Sequence, residues 1–141
     1  PIIIQALTML GPNFKKGDIN YKVSFADDDI KAQIDNIQLT QVLFNILLNA
    51  IYVSPPKSEI HVNVFSTESH FVIEIKDNGK GIEDEIKHKI FEPFFTTKPL
   101  GEGTGLGLSV VHGIIKSHQG IIEALDNKPK GTIFRIKLPL K

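Results

Sequence analysis

The period of the apolar positions changes along the chain, and each change predicts an element. Ile2 to Phe14 carries its apolar residues at helical spacing, interrupted at Gly11-Pro12, which predicts a short helix broken there. Tyr21, Val23 and Phe25 alternate with Lys22 and Ser24, and Ile30, Ala32 and Ile34 alternate with Lys31 and Gln33. Period two predicts a strand in each, with Asp27, Asp28 and Asp29 as the turn between them. Asp35 stands as a helix N-cap with Gln38 three residues on, the spacing of a capping box. Behind it Leu39, Val42, Leu43, Ile46, Leu47 and Ala50 form one apolar stripe, so the helix runs to about Val53 and stops before Pro55-Pro56.

Two alternating strands follow, Ile60, Val62 and Val64, then Phe71, Ile73 and Ile75, joined as a hairpin by the polar tip Ser66 to Ser69. Asp77 to Gly81 reads as a loop and Glu83 to Ile90 as a short helix. A helix is expected from about Leu106 to His118, ended by Gly120. Ile121 to Leu125 and Thr132 to Leu138 form a second hairpin around Asn127 to Lys130. With no internal repeat and no linker, the pattern predicts a single domain over residues 1–141. Its class is α/β (α+β), a two-layer sandwich in which a mixed, largely antiparallel sheet carries helices on one face.

Composition narrows the partners. Sixteen basic residues balance sixteen acidic ones, so no global field draws the chain to nucleic acid or to an anionic membrane. Cysteine is absent, which excludes disulfides and thiolate metal sites. No apolar run approaches the roughly 20 residues of a membrane span, and Pro1 to Ile4 lacks the basic start of a signal peptide. The only methionine is Met9, and the chain is expected to be a piece of a longer protein.

Three segments carry candidate chemistry. On the helix after Asp35, Gln38, Gln41, Asn45, Asn49 and Tyr52 share the face opposite the stripe. Asn45 and Asn49 lie one turn apart, so their amides point the same way. Amide oxygens are hard neutral ligands suited to Mg²⁺, and a solvated polar face is the alternative reading. Asp77-Asn78-Gly79 follows a strand. It is either a plain turn or a carboxylate placed to accept from an exocyclic amine, a choice of partner that favours adenine over guanine. Gly79 and Gly81 would let the backbone approach the base plane.

Finally Gly101, Gly103, Gly105 and Gly107 fall on alternate positions just ahead of a helix. Ordering four glycines costs entropy, so a mobile or close-approach loop is expected, with helix-start N–H groups suited to phosphate. The segment matches neither the P-loop nor the dinucleotide fingerprint. Lys98 adds a cation, and Thr96, Thr97 and Thr104 add hydroxyls. The five histidines, His61, His70, His88, His112 and His118, show no metal-ligand spacing.

Taken together, these segments resemble the catalytic, ATP-binding domain of two-component sensor histidine kinases. That domain belongs to the superfamily shared with DNA gyrase, the mismatch-repair ATPases and the heat-shock ATPase chaperones. Asn45 to Ala50 resembles the N box, Asp77 to Gly81 the first glycine box, and Phe91 to Phe95 the F box. Gly101 to Gly107 resembles the second glycine box and Gly131 to Phe134 the closing strand motif. The five stand in the family's order over about ninety residues, which makes the match specific.

The resemblance implies a Bergerat-type ATP-binding fold and roles at the matching positions. Asn49 would bind Mg²⁺, with Asn45 beside it on the phosphates or the metal. Asp77 would hold the adenine amine, supported by Thr132 through water, with Gly79, Gly81 and Ile82 lining the base. Phe91 to Gly103 would be a mobile lid with Lys98 on the γ-phosphate. Gly103, Thr104, Gly105, Leu106 and Gly107 would surround the triphosphate, the last three through backbone N–H groups.

The ATPase branches are known for a glutamate where this chain has Asn45. An amide is a poor general base, so the resemblance implies transfer to an acceptor over hydrolysis. No histidine here has the His-Glu or His-Asp context of the family's phosphoacceptor, so the substrate histidine is expected on a separate helical hairpin. No catalytic base is assigned in this chain. A response regulator would be the next acceptor, with no nucleic acid and no direct membrane contact, in the cytoplasm. The alternatives are a serine kinase of the anti-sigma class and a degenerate module that binds partners without nucleotide.

Overall fold

A computed structural model describes residues 2–26, 35–87, 89–92, 107–127 and 130–140. Two short helices open it, α1 over Ile2–Met9 and α2 over Gly11–Gly17. The break falls at the expected place, and Pro12 sits in the first turn of α2, where its missing N–H costs nothing. Strand β1 follows over Asn20–Phe25, then the long helix α3 over Asn36–Val53. Asp35 caps α3 as expected, its carboxylate accepting from Gln38 N at 3.1 Å. Such a cap is worth about 1 kcal/mol. The strand expected over Ile30 to Ile34 and its turn lie outside the described residues.

Strands β2 (Glu59–Ser66) and β3 (His70–Lys76) form the first hairpin, and α4 covers Gly107–Ser117. Strands β4 (Ile121–Asp126) and β5 (Thr132–Pro139) form the second. The sheet order is β1-β2-β3-β5-β4. Among the described strands only β1 and β2 pair in parallel, from Asn20 opposite Glu59 to Phe25 opposite Val64. A parallel pair needs a crossover, and α3 supplies it. The remaining pairs are antiparallel, so the mixed, largely antiparallel sheet is as expected.

Register stacks apolar residues on one face: Val62 opposite Ile75, Val64 opposite Ile73, Ile73 opposite Ile136, and Ile136 opposite Ile122. Helices α3 and α4 pack on this side, and α1 and α2 pack on α3. All six stripe residues of α3 are buried, together with Val111, Ile114 and Ile115 of α4. Each full burial of such a side chain is worth about 1.5–3 kcal/mol. The other face is charged: Arg135 Nε donates to Glu74 Oε2 at 2.6 Å, and Lys137 Nζ lies 3.4 Å from Glu123 Oε1. An antiparallel sheet can leave such a face to water.

Two local expectations are corrected. Over Glu83 to Ile90 the described residues 84–87 and 89–90 form turns and not a helix. Ile86 N donates to Glu83 O, Lys89 N to Ile86 O and Glu92 N to Lys89 O, each three residues back. Starting a helix fixes several residues for one hydrogen bond, and Ile90 is the only fully buried side chain among the described residues of this stretch. One local and one tertiary ion pair hold the segment instead: Lys87 Nζ reaches Asp84 at 2.9 Å within it and Asp126 at 2.8 Å across the fold.

The second correction concerns Gly120. The left-handed residue that closes α4 is Gln119, at φ 60°, with Gln119 N donating to Lys116 O and Gly120 N to Ile115 O. Glycine is needed one place later for another reason: a Cβ at Gly120 would come within 2.7 Å of Lys137 O.

Candidate functional site

The site is built outward from Asp77, the first residue past β3. Its backbone continues the pairing to β5, with Asp77 N donating to Thr132 O at 2.9 Å. Its side chain turns inward and is 1% exposed. Oδ1 accepts from Gly79 N at 2.9 Å and from Thr132 N at 3.1 Å. Burial pushes the carboxyl above its usual range, and the two N–H donors oppose that push without cancelling it. Among the described residues both hydrogen bonds to this carboxylate fall on Oδ1. Thr132 is buried beside it.

The loop after Asp77 sits against two neighbours that leave no room for side chains. A Cβ on Gly79 would lie 2.9 Å from both the side chain and the carbonyl of Val53, so the loop packs on the last turn of α3. Gly131, at φ 108°, lies where a Cβ would collide with the Asp77 carbonyl. Gly81 faces Gly131, and Ile82 is half-buried against the core. These glycines are therefore required by the packing of the loop itself.

The loop is also tied by two amides that the sequence pattern does not single out. Asn78 Nδ2 donates to Glu59 O at 2.6 Å, and Asn127 Nδ2 donates to Asp77 O at 2.8 Å. Asn127 reads from sequence only as part of a hairpin turn. Its partner lies 50 residues away, so no local pattern could have marked it.

The other end of the site lies up the same helix. Asn45 and Asn49 are partly exposed on the polar face of α3, and Tyr52 is exposed. The Asn45 amide lies 4.0 Å from where a Cβ would stand on Gly107, the first residue of α4. The start of α4 thus abuts Asn45, with no acidic residue in its first turn to offset the positive end of its dipole. From Val53, beside Gly79, back to Asn45 is a helical rise of about 12 Å. One face of α3 therefore joins a buried carboxylate at one end to paired amides and a helix start at the other.

The expected residues Lys98, Gly103, Thr104, Gly105 and Leu106 lie outside the described residues. The start of the F box is described. Phe91 stacks on His112 of α4 with ring centroids 5.4 Å apart and meets Phe134 of β5 edge-on at 6.5 Å. Among the described residues no three His, Cys, Asp or Glu side chains gather as a metal site. A cation here would have to be one content with an amide oxygen, ligand oxygens and water, and Mg²⁺ fits that donor set.

Comparison with known proteins decides the family. The profile of the histidine kinase-, DNA gyrase B- and HSP90-like ATPases matches residues 34–141. The chain belongs to this family. Sporulation kinase A of Bacillus subtilis (strain 168) is 38% identical over 140 residues, which is 99% of this chain and 23% of that protein. The chain thus spans about a quarter of the length of this curated relative. Among solved structures, the catalytic domain of histidine kinase ThkA superposes with a TM-score of 0.89 at 30% identity, covering 98% of this chain and 90% of that one. ThkA in complex with the response regulator protein TrrA matches with a TM-score of 0.85 at 27% identity, covering 99% and 40%. The two-layer fold is therefore that of histidine kinase catalytic domains within the histidine kinase-, gyrase- and HSP90-like ATPases.

Proposed function

We propose that this chain binds Mg·ATP and donates the γ-phosphate to a histidine on a separate phosphoacceptor domain, as the nucleotide-binding part of a two-component sensor kinase. The observation that carries the reading is the Asp77 carboxylate, buried, with Oδ1 fixed by two backbone N–H groups. A carboxylate held in this way accepts from adenine's exocyclic amine and repels guanine's carbonyl at the same position. Thr132 supports that contact, and Gly79, Gly81 and Ile82 line the base.

Asn49 would hold the metal through its amide oxygen, with Asn45 alongside on the phosphates. Magnesium, when bound, neutralises charge on the triphosphate. The remaining roles, Lys98 on the γ-phosphate and Gly103 to Gly107 around the phosphates, complete the proposal. In the transfer, the bond from the γ-phosphorus to its bridging oxygen breaks, a bond to an imidazole nitrogen forms, and ADP leaves. Positioning and charge neutralisation supply most of the catalysis in such a step. Asn45 cannot act as a base for water, which favours transfer over hydrolysis.

A response regulator aspartate is the next acceptor in this reading, supported by the ThkA–TrrA complex. The setting is cytoplasmic, where ATP and such regulators are found. The test uses the purified chain with γ-labelled ATP and Mg²⁺. The chain should not label itself, and should label an added phosphoacceptor domain of a sensor kinase on histidine. Strong self-labelling, or release of inorganic phosphate without transfer, would overturn the proposal.

A further inference from the structure

The proposed recognition of adenine makes a demand that Asp77 cannot meet alone. Oδ2 must stand at a fixed point, yet Asp77 is the first residue beyond β3, at the head of a loop. Its N–H is paired to Thr132 O, and its carbonyl side has to be held from outside. The Asp77 carbonyl accepts from Asn127 Nδ2 at 2.8 Å. Asn127 N in turn donates to Gly131 O at 3.0 Å, so the same residue closes the β4–β5 turn and reaches across to the loop. Gly131 carries no Cβ where one would strike the Asp77 carbonyl, which is what lets the turn come this close. On the far side Asn78 Nδ2 ties the next residue to Glu59 O. The orientation of the Asn127 amide follows from its partner, since a carbonyl requires the NH₂ end to face it.

We infer that Asn127 is a positioning residue that sets nucleotide selectivity. Through the Asp77 carbonyl it fixes the peptide from which the adenine-reading carboxylate projects, without touching the nucleotide itself. This inference rests on the reading of Asp77 as the adenine acceptor. It predicts a loss confined to the base end of the site, because Asn49 lies about 6 Å, and Asn45 with the start of α4 about 12 Å, along α3 from Val53, where the loop packs.

The experiment measures ATP, GTP, adenosine and inorganic tripolyphosphate binding, with Mg²⁺, to the wild-type chain and to Asn127→Ala, Asn127→Asp and Asn127→Gln. Loss of one neutral hydrogen bond should lower adenosine and ATP affinity about three- to tenfold in Asn127→Ala and narrow the ATP-to-GTP ratio by the same factor. Tripolyphosphate affinity should not change. Asn127→Asp should lose more, since it sets an acceptor against a carbonyl and a second carboxylate near Asp77. Asn127→Gln keeps the donor and should recover most of the ratio. Thermal melts of each variant identify any that does not fold, and the remaining variants then decide.

An unchanged ATP-to-GTP ratio in the folded variants overturns the positioning role, as does a parallel loss of adenosine and tripolyphosphate. Failure of the wild-type chain to bind ATP is a different result, and it overturns the reading of the site on which this role depends.

Discussion

Asp77 carries two opposed demands. Adenine recognition wants a charged acceptor with one oxygen held still, and Oδ1 is held by Gly79 and Thr132. Burial at 1% exposure disfavours that charge and pushes the carboxyl above the usual range near 3.9. An acid whose pKa is raised on folding contributes stability that is present below its unfolded value. That contribution is lost as pH rises through the folded value. At neutral pH the ionised Asp77 therefore costs the empty protein stability, a cost that binding of the amine would offset under the proposed function. Asp77→Asn keeps an oxygen for both N–H donors and removes the charge. The variant should melt no lower than wild type at pH 7 while losing adenosine affinity about ten- to hundredfold, the worth of a hydrogen bond to a charged group. In the wild type, adenosine affinity should fall as pH drops from 7 toward the raised pKa, and that slope should vanish in the variant. Calorimetry showing equal affinity for the two proteins would remove Asp77 from the base site.

At the scale of elements, α3 is both core and candidate site. Its stripe from Leu39 to Ala50 is buried, and its opposite face carries Asn45 and Asn49 between the loop at Val53 and the start of α4. The two ends should therefore be separable. Asn49→Ala should weaken Mg·ATP about tenfold and leave adenosine within twofold, given a lost polar contact of about 1–1.5 kcal/mol at the phosphate end alone. Equal losses measured for both ligands would make Asn49 a structural residue.

Much of this element was legible in the sequence because its signals are local. The N-cap at Asp35, the six-residue stripe and the two amides one turn apart all fall within nineteen residues. The loop at Asp77 and the F box, both after it in the chain, were read from motifs, and the F box begins where Phe91 packs on His112 and Phe134. What could not be read depends on distant partners. Lys87 and Asp126 are 39 residues apart, and their contact helps hold Glu83 to Ile90 as turns. Gly120 is fixed by the carbonyl of Lys137 on a strand beyond, which leaves the left-handed turn to Gln119. Asn127 meets Asp77 across 50 residues. Periodicity reports which face a residue shows, and says nothing of which carbonyl waits opposite it.

Across the whole molecule, the parts of the site come from places that meet only when the sheet is complete. Asp77 follows β3, Thr132 opens β5, Asn45 and Asn49 sit on the β1–β2 crossover, and Gly107 begins the helix before β4. Since β5 lies between β3 and β4, the carboxylate and its Thr132 donor come together only through the central pairing. An unfolded chain therefore has no such site, and a ligand of this site binds the folded form alone. Stability must then rise with ligand as RT ln(1 + [L]/Kd), about 2.7 kcal/mol at a hundred times Kd. Urea unfolding of the chain with ATP and Mg²⁺ at that concentration should show this rise as a higher midpoint with an unchanged slope. At the same ATP concentration, a tenfold weaker Asp77→Asn should gain only about 1.4 kcal/mol. The variant would then be at least as stable as wild type when empty and less stable when both are saturated. A local or unspecific association with ATP gives no such crossing of the two curves. Parallel curves, or a shift as large with inorganic tripolyphosphate as with ATP, would mean that the base end of the site contributes nothing to what the fold binds.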